Sequence, residues 1–160
     1  MQEAITKIKP ESRASVKAEC LRMMDRVDEA VAEFRQKIEA GDQSPALLES
    51  AARVFASVPT TRDDNPHNDA LPILERFVSG ELTGVDDALR TKQWARRDLA
   101  RILAPRDYKS LCRGIELLEQ NLAEVPDSLE DKRLRAKLLA VHGVTKSQQQ
   151  EARKSLAELA

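Results

Sequence analysis

Residues 99–126, LARILAPRDYKSLCRGIELLEQNLAEVP, decide the fold class. Leu99 and Leu103 lie four apart before Pro105, which ends the first helix of the stretch by denying it a backbone donor. From about Asp107 to Glu124 the apolar residues Leu111, Ile115, Leu118 and Leu122 recur at spacings of four, three and four, which is one face of a second helix. Pro126-Asp127-Ser128 then resets the chain. Two helices joined by a short proline-bearing turn make an antiparallel hairpin.

The same pattern recurs outward in both directions. Downstream, a helix over about 129–142 is closed by Gly143, and a last one over about 146–159 shows Ala152, Leu156 and Leu159 on one side. Upstream, a helix of about 85–103 carries Leu89, Ala95, Leu99 and Leu103. Before it, Ser44-Pro45 starts a helix with Leu47, Leu48, Ala51, Ala52 and Phe55 inward. Residues 59–68, PTTRDDNPHN, have no helical periodicity and read as an irregular loop. A shorter helix follows with Leu71, Leu74, Phe77 and Val78, and Pro72 belongs in its first turn. The N-terminal pair places Ala14, Ala18, Leu21 and Met24 on one helix and Val27, Ala30, Val31, Phe34 and Ile38 on the next, which ends at Gly41. Eight helices in four pairs result, over about 11–41, 44–80, 85–125 and 128–160, within a single domain of 1–160.

Composition agrees. Leu, Ala, Glu, Lys, Arg and Gln dominate, aromatics make up 3% and only five Gly occur, which favours helix over sheet. Recurrence of a helix pair about every 34 residues points to pairs too small to bury their own apolar faces, each completed by its neighbours in a stacked solenoid.

These residues resemble tetratricopeptide repeats. In 26–45, RVDEAVAEFRQKIEAGDQSP, Ala30 and Phe34 fall at the small and aromatic positions of a second helix. Leu48, Ala51, Ala52 and Phe55 continue into the next first helix. The match is best at 99–126, where Leu99, Ala100 and Leu103 take first-helix positions and Gly114, Leu118, Leu122 and Pro126 the second-helix ones. Ala136 and Leu139 begin another repeat. Small residues at Ala52, Ala100 and Ala136 let paired helices approach closely. Lys17 and Arg135 stand where Leu is usual, and Lys37 and Asn121 where Ala is frequent. The resemblance implies an all-α fold of antiparallel helix hairpins stacked as a short right-handed α-solenoid, with first helices lining a concave groove for a partner segment.

On that reading the groove stripe is Trp94, Arg97 and Arg101 in the third pair and Glu130, Arg133 and Lys137 in the fourth. Trp94, Arg97, Arg101, Arg133 and Lys137 are the expected partner-binding residues. Together they favour an acidic protein or peptide, since Arg holds carboxylates bidentately and Trp supplies apolar contact. Charge supports the second half as the electrostatic one. Residues 1–89 carry 11 Lys/Arg and 17 Asp/Glu, net −6, whereas 90–160 carry 15 and 10, net +5, giving the overall −1. The bland alternative is that these charges are solvated helix sides and Trp94 a packing residue. A basic stretch at 90–113, with Tyr108 and Trp94 able to stack on bases, leaves nucleic-acid binding as the alternative function. A purely structural or self-associating segment of a longer solenoid is another, suggested by the apolar ending SLAELA.

Other chemistry finds little footing. Asp63, Asp64, His67 and Asp69 share a loop but match no metal-site spacing, and His142 reads as a helix C-terminal residue near the dipole's negative end. Cys20 and Cys112 are isolated, fall in helical patterns and read as reduced core thiols. No phosphate loop or nucleophile motif occurs, so no catalytic residue, metal or cofactor is expected. No apolar run reaches membrane-span length and no signal peptide is evident, so the chain reads as non-membrane and cytoplasmic.

Overall fold

The computed structural model describes residues 26–59, 65–82 and 87–159, together with Val16, Cys20, Leu21 and Met24. The described residues are all-helical. Seven helices follow in order: α1 (Val27–Glu39), α2 (Pro45–Ser57), α3 (His67–Ser79), α4 (Ala88–Leu103), α5 (Tyr108–Glu124), α6 (Leu129–His142) and α7 (Lys146–Glu158). Of the expected first helix, Val16, Cys20 and Leu21 are described as helical and Met24 as a turn residue; the rest of that expectation lies outside the described residues. Backbone contacts divide the chain into two compact units, residues 1–88 and 89–160.

In the first unit α2 packs against both α1 and α3. Its position between two neighbours explains its composition. Leu47, Leu48, Ala51, Ala52, Val54 and Phe55 are all buried, a wider apolar face than a helix with one neighbour needs. Phe34 of α1 meets Phe55 edge-on, with ring centroids 6.3 Å apart, and Leu74 and Phe77 of α3 complete the core. Ser44 is the N-cap of α2 and Pro45 opens it, as the sequence indicates. The Ser44 side chain makes no capping bond, and its own N–H donates to Asp42 Oδ1 at 3.1 Å.

The helix after the irregular loop begins earlier than the sequence pattern implies. Asn65 Oδ1 accepts from the His67 N–H at 3.1 Å, and the Pro66 carbonyl accepts from Asp69 and Ala70, so α3 starts at His67. Pro72 therefore sits in the second turn and not the first. Gly80 ends α3 in the left-handed region, φ 82°, where a side chain would be strained.

In the second unit the sequence boundaries of α5, α6 and α7 hold to within a residue or two. Asp107 caps α5 through the Ser110 N–H at 2.9 Å, and Thr145 and Gln148 form a reciprocal capping box on α7. Packing runs from helix to helix, with α6 touching both α5 and α7. Ala100 of α4 and Ala104 just after it, Leu111 and Leu118 of α5, and Leu134 and Leu138 of α6 form the core, with Ile115 against it. Leu89 departs from the expected apolar stripe: it is 51% exposed in the first turn of α4.

Candidate functional site

Where α4, α5 and α6 meet, the core turns polar. Asp131 and Asn121 are fully buried and Arg96 nearly so. Such groups are tolerated only when hydrogen-bonded and paired. Asp131 lies in the first turn of α6, whose N-cap Ser128 accepts from the Asp131 N–H at 3.3 Å and donates its hydroxyl back to the carboxylate. Arg97 of α4 closes on the same carboxylate in a fork, Nε to Oδ1 at 2.8 Å and Nη2 to Oδ2 at 2.6 Å. Asn121 of α5 donates to Asp131 Oδ1 at 2.9 Å and to the Gln93 carbonyl at 3.0 Å. Its own Oδ1 accepts from Arg96 Nη1 at 3.0 Å. Arg96 Nη1 also reaches Glu124 at 2.8 Å.

Burial alone would push the Asp131 carboxyl upward. Hydrogen bonds from Arg97, Asn121 and Ser128, with the charge of Arg97, outweigh it and hold the group below its ordinary value. The hydrogen bond to Asp131 in turn raises Arg97 further, so the pair stays ionised. This cluster ties three helices together.

The five groove residues expected from sequence are only partly left for a partner. Arg97 and Arg101 do converge on the start of α6, where Glu130 lies 2.8 Å from Arg97 and 3.9 Å from Arg101. All three guanidinium nitrogens of Arg97 are therefore engaged by carboxylates. Arg101 also pairs with Asp98. Arg133 turns toward α7, its Nε donating to the Leu159 carbonyl at 2.8 Å. Lys137 is exposed on α6 and Trp94 is half-buried on α4. In the alternative basic stretch at 90–113, Arg96, Arg97 and Arg101 all hold carboxylates of the chain itself, while Tyr108 is largely exposed.

A recess of about 850 Å³ lies elsewhere in this unit, above α6 and between α5 and α7. None of the five expected residues lines it. Its floor is apolar: Leu111, Ile115 and Leu122 from α5, Leu139 from α6 and Ala152 from α7. Ile115, Leu122 and Leu139 remain half-buried, though their helical stripes mark them as core. Cys112 is a free thiol on the same wall. The first unit has a smaller recess of about 380 Å³ among α1, α2 and α3, with Asp69 on its rim held by Arg35 Nε at 2.9 Å. Of the loop carboxylates considered for a metal, Asp63 and Asp64 lie outside the described residues and Asp69 is thus committed to Arg35. Among the described residues no group of three His, Cys, Asp or Glu side chains could hold a metal ion, and no helix is long and apolar enough to cross a membrane.

Comparison with protein-family models, with curated proteins and with solved structures found no match.

Proposed function

We propose that this chain is a non-catalytic, cytoplasmic interaction module built from tetratricopeptide-like helix hairpins, and that it holds a segment of a partner protein. The observation that carries the reading is the open, apolar-floored recess between α5 and α7. A helical unit that had only to fold would close its apolar stripes against its own helices, yet Ile115, Leu122 and Leu139 stay half-covered around a space of about 850 Å³. The close approach of α4 and α5 at Ala100 and Gly114 supports the tetratricopeptide likeness.

An acidic partner on the stripe of Trp94, Arg97, Arg101, Arg133 and Lys137 has less support than the recess, because Asp98, Glu130 and Asp131 already occupy Arg97 and Arg101. The same pairing counts against nucleic-acid binding at 90–113, which needs guanidinium groups available to phosphates.

The test is capture from lysate of the source cell by wild type and by Leu122→Glu, with melting curves to establish that both are folded. A protein retained in stoichiometric amount by wild type and lost from the variant supports the module. Recovery of nucleic acid alone, or equal retention by both, counts against it.

A further inference from the structure

We infer that the recess of the second unit is a docking groove for an amphipathic partner helix of about three turns whose flank is basic. This rests on the interaction-module reading above and specifies its partner.

Length comes first. The α7 wall runs from Gln148 to Leu159, eleven residues on, so the groove extends for about 16 Å at 1.5 Å per residue. That is a trough for a helix. Its floor of Leu111, Ile115, Leu122, Leu139 and Ala152 suits apolar side chains at spacings of three and four.

Charge then selects the partner. On the α5 and α6 side the rim is neutralised internally: Arg135 lies 3.1 Å from Glu119, and Lys132 lies 3.7 Å from Asp127. On the α7 side Glu151 and Glu158 line the groove, are exposed, and have no ion-pair partner among the described residues. Seven residues apart, they stand on one side of α7 at a separation of about 10.5 Å, two helical turns. Lys or Arg at positions i and i+7 of a docked helix meets both, whereas an acidic helix brings like charges together.

The smaller recess of the first unit provides an internal contrast. There the chain supplies its own cross-groove pairs, Arg35 of α1 with Asp69 of α3 and Arg76 of α3 with Gln43 at 2.8 Å. In the second unit the α7 carboxylates are left for a cation from outside.

The test uses the full chain carrying Cys20→Ser, so that Cys112 is the single thiol. Two labelled synthetic helices of about 14 residues, each with a Leu face, carry Lys or Glu on the flank. Fluorescence anisotropy gives affinity, and the rate of maleimide alkylation of Cys112 reports whether the groove is filled. The expected result is saturable binding of the Lys helix with slowed alkylation, no binding of the Glu helix, and reversal of this preference by Glu151→Lys/Glu158→Lys. That double substitution should weaken the Lys helix by about tenfold. Absence of saturable binding, binding that leaves Cys112 unprotected, or a preference unmoved by the charge swap overturns the inference. Protection of Cys112 without peptide, rising with protein concentration alongside a dimer mass by light scattering, overturns it in favour of a second copy. A lysate partner lost with Leu122→Glu but kept by Glu151→Lys/Glu158→Lys would leave the module standing and remove only the basic helix.

Discussion

Gly114 of α5 lies so close to Ala100 of α4 that a Cβ built on it would stand 3.2 Å from the Ala100 carbonyl oxygen and 3.3 Å from its Cα. Those are backbone atoms, which cannot swing aside as the tip of a long side chain can. Gly114→Val must therefore push the two helices apart, and the expected loss is about 1–3 kcal/mol in urea unfolding, typical of overpacking. Gly114→Ala adds one methyl at the limit of tolerance while recovering about 1 kcal/mol of helix propensity, so its net effect should be small. A Val variant as stable as wild type would mean that α4 and α5 do not touch here.

Asp131 makes stability depend on acid. Its carboxyl titrates below the ordinary 3.8 in the folded chain because Arg97, Asn121 and Ser128 donate to it. A group whose folded value is depressed contributes fully above its unfolded value, and the contribution is lost as pH falls through the folded one. Asp131→Asn should thus remove the component of acid unfolding that sets in below about pH 4, and at neutral pH should cost about 3 kcal/mol by leaving Arg97 with Glu130 as its one carboxylate partner across to α6. Urea midpoints of both proteins from pH 7 to pH 2 check this; parallel curves would show that Asp131 is not the titrating group.

Sequence periodicity was enough for the helices, because residues such as Leu111, Ile115, Leu118 and Leu122 repeat whatever lies opposite them. It could not say which of that stripe would be covered. Leu118 is buried in the core with α4 and α6 and Leu111 is buried although it reaches the recess, while Ile115 and Leu122 stay half-buried along it. The internal pairing of the basic stripe was hidden for a related reason. Arg97 reads as a surface cation beside Trp94 and Arg101, but its partner Asp131 is 34 residues away and had no mark of its own. One signal was present: Asn121 stands where the repeat pattern favours Ala, and a polar residue in a core slot asks for buried partners, which Arg96 and Asp131 supply.

Arg97 and Arg101, equivalent in sequence, should respond differently to charge reversal. Arg97 is mostly covered and forked onto a buried carboxylate, whereas Arg101 is exposed and pairs at the surface with Asp98. Arg97→Glu should lower stability by about 3 kcal/mol or more, and Arg101→Glu should stay within about 0.5 kcal/mol of wild type. Thermal melts of the two single variants decide it. Equal effects would contradict the buried fork, and binding experiments using Arg97→Glu need this control because lost affinity there would follow lost fold.

Thr145 sets the wall of the proposed groove. Its hydroxyl accepts from the Gln148 N–H at 3.1 Å, and Gln148 Oε1 accepts from the Thr145 N–H at 3.2 Å, closing both orphan donors at the start of α7. The helix packs against α6 alone, and Ala152 is its one buried residue among those described, so its start depends on this cap more than a core helix would. Thr145→Ala should therefore remove about 1 kcal/mol from α7 while barely touching the core of α4, α5 and α6. Amide hydrogen exchange should show faster exchange through 146–158 and little change at Leu118 or Leu134. Binding of the Lys-flanked helix should weaken in step, since Glu151 and Glu158 ride on that wall. Exchange that accelerates evenly across residues 89–160 would show instead that α7 unfolds only with the rest of the unit.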